Sequence, residues 1–124
     1  MVQHVEELEA FKKSYSLAMQ VFKLTQSFPP EERFALTSQI RRSSRSVSLN
    51  LKEAWAKRRY EAHFVSKLTD CDGENGETAV SLSFARDCGY ITPDTASQLL
   101  ETNRQIGSLL GSMLNNPSRW TLKP

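Results

Sequence analysis

Cysteine and histidine are scarce in this chain, with two of each among 124 residues. Two cysteines, Cys71 and Cys88, are too few for a disulfide scaffold. If both lie on one helix, 17 residues apart, they stand about 25 Å apart along its axis and cannot bridge. The expectation is two reduced, buried thiols in a reducing, cytoplasmic setting. His4 falls in a terminus expected to fray. His63 opens the third helical segment with no Cys or carboxylate pattern that demands a metal, and reads as a surface or partly packed residue. CxxC, HExxH, a glycine-rich phosphate loop and a nucleophile elbow are absent. The run GENG, residues 73–76, sits in mid-helix and resembles no phosphate loop. Ser43, Ser44, Ser46 and Ser48 have no base at a useful spacing. These absences argue against an enzyme and imply no cofactor, metal or small-molecule substrate.

Long apolar runs are also missing. None approaches the ~18 residues of a membrane span, and the N-terminal MVQHVEELEAFKK is charged, without the apolar core of a signal peptide. No membrane partner is expected, and the expected location is cytoplasmic. Charge of one sign does not dominate either: 16 basic residues face 14 acidic ones, for a net charge of +2. The chain as a whole is no polycation. What is present is ordinary for a soluble globular protein, 39% hydrophobic and 24% charged, and long enough for one domain with a real core.

Apolar spacing divides the chain into four helical segments, at about 5–28, 30–58, 61–88 and 93–115, followed by an irregular tail over 116–124. In the first, Leu8, Phe11, Tyr15, Ala18, Phe22 and Thr25 recur at 3-4 spacing. Phe28-Pro29-Pro30 ends it, and Pro30, Glu31 and Glu32 suit the first turn of the next helix. The second carries Leu36, Ile40, Val47, Leu51 and Ala54 on one face. The third carries Phe64, Leu68, Cys71, Asn75, Thr78, Leu82 and Ala85, and ends at Gly89, a good residue for the position just past a helix. Thr92-Pro93-Asp94 reads as the start of the fourth, whose stripe is Leu99, Ile106, Leu110 and Met113 with Asn103 interposed. In the tail, only Trp120 and Leu122 offer side chains that could dock. Nothing reads as a strand hairpin. The expected fold is all-α, an antiparallel up-down-up-down four-helix bundle forming a single domain.

Charge is distributed unevenly over these segments. Between Ser38 and Arg59 lie Arg41, Arg42, Arg45, Lys52, Lys57, Arg58 and Arg59 against one acid, Glu53. That stretch carries +6 and leaves −4 for the rest. On a helical wheel Arg41, Arg45, Lys52 and Arg59 fall within roughly 40° of one another, and the apolar stripe lies roughly 130° away. Two readings follow. The basic face is solvated or paired with acids of neighbouring helices, or it is a phosphate-contacting ridge thickened at its end by Lys57-Arg58-Arg59. With Trp55 and Tyr60 the only aromatics at hand for base stacking, binding would be directed to the backbone and weakly sequence-specific.

Two features fit poorly in a monomeric bundle. Leu49 lies off the core stripe. On the third helix Gly73, Gly76, Val80 and Phe84 form a second small and apolar face, although each mid-helix glycine costs about 1 kcal/mol relative to alanine. A subunit interface would account for both, against the alternative of a wide core face in a monomer. Polar residues near the stripes need partners. Glu77 is expected to pair with Arg41 or Arg42, Asn50 with a backbone or hydroxyl group, and Glu53 lies one turn beyond Asn50; the alternative is that the carboxylates are simply surface charges.

FPPEERFALTSQIRRSSRSVSLNLKEA, residues 28–54, resembles the signature of the small bacterial four helix bundle proteins, also called 23S rRNA intervening-sequence proteins. The matching residues are Phe28-Pro29, Glu32, Phe34, Leu36, the run Gln39-Ile40-Arg41-Arg42, Ser46, Asn50 and Glu53. ENGETAVSLSFARDCGYI, residues 74–91, is similar to the family's third helix, with Gly73, Glu77, Leu82, Ala85 and Gly89-Tyr90-Ile91 in register. The resemblance spans roughly residues 8–115. Where the family usually has Asn-Ile-Ala-Glu-Gly, this chain has Asn50-Leu51-Lys52-Glu53-Ala54, so the second helix is expected to run further before turning. The resemblance implies a left-handed bundle that assembles into a ring-like homopentamer. A related branch, the accessory variability determinant of diversity-generating retroelements, resembles this family in fold and binds a reverse transcriptase and nucleic acid. The expected function is therefore a non-enzymatic, homo-oligomeric bundle that binds RNA or DNA through the basic face of its second helix. The alternative is a protein-interaction adaptor, for example for a reverse transcriptase.

Overall fold

A computed structural model of the chain describes residues 2–122, so the last two residues of the expected irregular tail lie outside the described residues. Four helices carry the fold: α1 (Glu9–Thr25), α2 (Leu36–Ala56), α3 (Glu61–Asp87) and α4 (Pro93–Asn115). Short 3-10 turns at Val5–Glu7, Pro30–Glu32 and Pro117–Arg119 flank them, and no strand occurs among the described residues. α1 packs on α2 and α4, and α3 packs on α2 and α4, with no diagonal packing. Side-chain pairs give the directions. Ser14 meets Ser48 and Thr25 meets Arg41, Arg42 meets Glu74 while Glu53 meets Lys67, and each pair of partners runs oppositely along its helices. The molecule is an antiparallel four-helix bundle.

The ends of α3 and α4 follow the local chemistry. Gly89 takes φ +79°, and the Gly89 and Tyr90 amides donate to the Arg86 and Ala85 carbonyls. This is the glycine-terminated end that satisfies carbonyls of the last turn. The Thr92 hydroxyl accepts from the Thr95 amide at 3.1 Å and starts α4. The start of α2 departs from expectation. It begins at Leu36, not Pro30, because Pro30–Glu32 closes as a separate 3-10 turn. No side chain of Ala35 can cap it, so the Glu32 carboxylate does so, accepting from the Leu36 amide. Its other end lies only two residues past Ala54. Ala54 itself is wholly buried in the core.

The stripes of α2, α3 and α4 are all buried as expected. Each large aliphatic side chain taken from water contributes about 1.5–3 kcal/mol. The stripe of α1 is corrected. Its buried face is Ala10, Ser14, Leu17, Ala18, Val21 and Thr25, while Tyr15 is exposed and Phe11 and Phe22 lie at the flank. The inner face combines aliphatic Leu17 and Val21 with small residues at the contact with α2. Ser14 hydrogen-bonds Ser48 at 2.9 Å across that contact. α2 contributes buried Ser43, Ser44 and Ser48 beside its aliphatic stripe. Thr78 of α3 donates to Ser43 at 2.9 Å.

Cys71 is buried, and burial pushes its thiol up to about 12. Cys88 is exposed, contrary to the expectation of two buried thiols, because it caps α3 just before the turn at Gly89. The tail docks through Trp120, which packs against Trp55 at 6.4 Å, and through the Leu122 amide, which donates to Arg58. No helix is long and apolar enough to cross a membrane among the described residues.

Candidate nucleic-acid interface

The seven basic residues of α2 and its end do not form one uniform ridge. Arg41 is half-buried. Its Nε donates to Thr25 Oγ1 at 2.7 Å, and its guanidinium lies 4.9 Å over the Phe22 ring. Thr25 can accept because its own hydroxyl proton is directed back to the Val21 carbonyl. Arg45 shares the same ring from 5.7 Å. Arg42 bridges to α3, with Glu74 at 2.8 Å and Glu77 at 3.3 Å. Lys52 pairs with Glu6 at 3.2 Å. Arg58 lies flat on Trp55, 3.8 Å above the ring, and donates to the Trp55 carbonyl; burial lowers its pKa. Arg33, Arg41, Arg45, Lys57 and Arg59 pair with no carboxylate among the described residues.

Four arginines nevertheless converge. A groove of about 510 Å³ along the N-terminal half of α2 is lined by Arg33, Arg41, Arg42 and Arg45, with the hydroxyls of Thr37, Ser38 and Ser46. Phe34 and Leu49 complete it. Phe34 is 90% exposed, and its ring meets the Arg33 guanidinium at 5.8 Å. Lys52, Lys57, Arg58 and Arg59 are not part of this groove. Arg33 was not singled out in sequence, and Phe34 entered only through the family resemblance and not as a site residue, because the segment was taken as helix interior. A signal was present: on the wheel Phe34 falls on the basic side, away from the apolar stripe. Of the two aromatics expected to stack bases, Trp55 is buried and covered by Arg58, and Tyr60 is exposed beside His63.

The acids behave as partners rather than as buried groups. Glu77 pairs with Arg42 as expected, but its side chain is 57% exposed. Such a surface pair contributes at most about 1 kcal/mol. Glu74, 19% exposed, makes the closer contact. Its carboxyl is raised by burial and by the adjacent Glu77, which together outweigh the lowering effect of Arg42. The Arg42 guanidinium is held the more firmly protonated by Glu74 and then Glu77. Asn50 donates to the Ser46 carbonyl of its own helix at 2.9 Å. Glu53 binds Lys67 at 2.8 Å, which lowers its carboxyl.

Leu49, Gly73, Gly76, Val80 and Phe84 are all exposed, so the wide-core alternative is overturned. Apart from the adjacent backbone of α3 itself, no described atom lies within 4 Å of where a Cβ would stand on Gly73 or Gly76. The close approach inferred for these glycines does not come from this protomer.

A family model described as 23S rRNA-intervening sequence protein matches residues 6–112. Among solved structures, the chain is similar to a protein of unknown function from the S23 ribosomal protein family of Bacteroides thetaiotaomicron. The TM-score is 0.78 at 27% identity, over 86% of this chain and 96% of that one. No curated protein matches.

Proposed function

Because the chain belongs to the 23S rRNA-intervening sequence protein family, we propose that it is a non-enzymatic, self-associating bundle that binds RNA through the arginine groove of α2. The observation that carries this is the convergence of Arg33, Arg41, Arg42 and Arg45 on one groove with three hydroxyl side chains. Guanidinium forks match phosphate oxygens, and Ser and Thr hydroxyls are common phosphate donors. Arg41 is held in place by Thr25 and Phe22, which reduces the ordering cost of binding. Lys57 and Arg59 lie beyond the groove and add only long-range attraction.

The test is binding of labelled RNA by three proteins: wild type, Arg33→Glu/Arg45→Glu in the groove, and Lys57→Glu/Arg59→Glu beyond it. If about three phosphates are neutralised, affinity falls roughly 20-fold between 50 and 200 mM salt. The groove variant should lose binding, and the distal variant should keep most of it. No binding by wild type at low salt would sink the reading. A second reading then takes its place, an adaptor whose basic groove meets an acidic protein such as a reverse transcriptase. The exposed apolar face of Val80 and Phe84 favours a protein contact of some kind.

A further inference from the structure

Phe34 stands at the edge of the arginine groove with almost its whole ring in water. It sits in the turn between Pro30–Glu32 and α2. That turn is anchored on both sides. The Glu32 carboxylate accepts from the Tyr90 hydroxyl at 2.8 Å and from the Leu36 amide at 3.3 Å. The ring is thus carried on a fixed support rather than a loose loop. The Arg33 guanidinium lies 5.8 Å from its ring centroid. A ring in this state can gain from a flat partner that covers it, and the groove beside it selects that partner by charge.

We infer that Phe34 is a stacking platform for an unpaired base, so that the groove takes single-stranded or looped RNA in preference to perfect duplex. The inference rests on the RNA-binding reading and deepens it. A ligand attracted by Arg33, Arg41 and Arg45 is polyanionic, and RNA carries a flat π-face one nucleoside away from each phosphate. In a duplex that face is occupied by its neighbours in the stack, and the A-form major groove is too deep and narrow for side chains to read. In a loop or single strand the face is available to an aromatic side chain. The spacing of one aromatic beside several arginines is the arrangement that sequence-tolerant single-strand binding uses. A second copy of this chain could also cover Phe34, and the experiment separates the two.

The experiment measures anisotropy of a labelled single-stranded 12-mer RNA and of the same sequence in perfect duplex. The proteins are wild type, Phe34→Ala and Phe34→Trp, at low salt, with light scattering of each protein alone. Wild type should bind the single strand more tightly. Phe34→Ala should weaken single-strand binding about tenfold or more and leave duplex binding and assembly size unchanged. Phe34→Trp should restore binding. Equal single-strand affinity in wild type and Phe34→Ala overturns the inference while the RNA-binding reading stands. A change of assembly size in Phe34→Ala also overturns it, since the ring then belongs to a subunit contact. No RNA binding by wild type overturns both.

Discussion

Asn75 and Asn103 hold each other across the α3–α4 contact. Each side-chain amide donates to the other's backbone carbonyl, at 2.9 and 2.8 Å, and Asn103 Nδ2 also reaches Asn75 Oδ1 at 3.0 Å. Both side chains are buried. They occupy positions that apolar residues hold elsewhere on the same stripes, so they fix the register of α3 on α4. A sliding of one turn would bury two amides without partners. Asn103→Ala should therefore destabilise the bundle by about 1–3 kcal/mol, read from urea midpoints. Adding Asn75→Ala should cost less than a second equal amount, because the orphaned partner is removed.

Tyr90 tests the support under Phe34. Its hydroxyl donates to Glu32, and that bond, with burial, raises its pKa to about 12. A group whose folded pKa is raised contributes stability that is complete below its unfolded pKa, about 10. It loses that contribution as pH rises through the folded value. Wild type should thus lose stability between about pH 10 and about pH 12 relative to Tyr90→Phe. At pH 7 Tyr90→Phe should melt a few degrees lower. Identical melting curves at both pH values would show that the bond adds nothing.

Arg42 has two carboxylates to leave before it can take a phosphate. Glu74→Gln should strengthen RNA binding a few-fold by releasing one of them. Because the Glu74 carboxyl is raised, it protonates before an ordinary glutamate as pH falls. Wild-type affinity should accordingly rise on acidification from pH 7 toward pH 5, and Glu74→Gln should flatten that rise. Anisotropy across this range reads both.

The two thiols should differ sharply toward a thiol-reactive probe. Cys88 is exposed, and Cys71 is buried with its thiol pushed up to about 12. In native protein at pH 8 one equivalent should react quickly, and the second only on unfolding. Mass spectrometry of the labelled peptides assigns each.

Gly73 and Gly76 separate protomer from assembly. With open space around each, alanine at both should stabilise an isolated protomer by about 0.8–1 kcal/mol per site through helix propensity. If another copy packs against this face, Gly73→Ala/Gly76→Ala should instead shrink the assembly seen by light scattering. A double variant with unchanged size and raised Tm would exclude this face as a subunit contact.

Helix positions and core faces were legible in sequence wherever one residue class decided them. Pro93–Asn115 lies where Thr92-Pro93-Asp94 and Asn115-Asn116-Pro117 put it. The stripe of α2 is buried residue for residue. α1 misled because two stripes repeat at helical spacing, one carrying Phe11, Tyr15 and Phe22 and one carrying Ala10, Leu17 and Val21, and only packing against α2 and α4 chose between them. The candidate site was legible as a charge excess but not as a shape. The wheel grouped Arg41, Arg45, Lys52 and Arg59, whereas Lys52 is paired with Glu6, Arg59 lies outside the groove, and the groove keeps Arg41 and Arg45 and adds Arg33, Arg42 and Phe34.

The sequence by itself determined four helices, the ends of α3 and α4 and three of the buried faces, because proline, glycine, capping residues and apolar period act locally. It also determined that basic charge concentrates on α2. Only the tertiary structure decided which of those charges remain available. Arg42 is claimed by Glu74, 32 residues away, and Arg58 is laid on Trp55. It likewise decided that Phe34 stands in a turn at the edge of the arginine groove rather than within α2, because Pro30–Glu32 closes as a separate 3-10 turn and α2 starts only at Leu36.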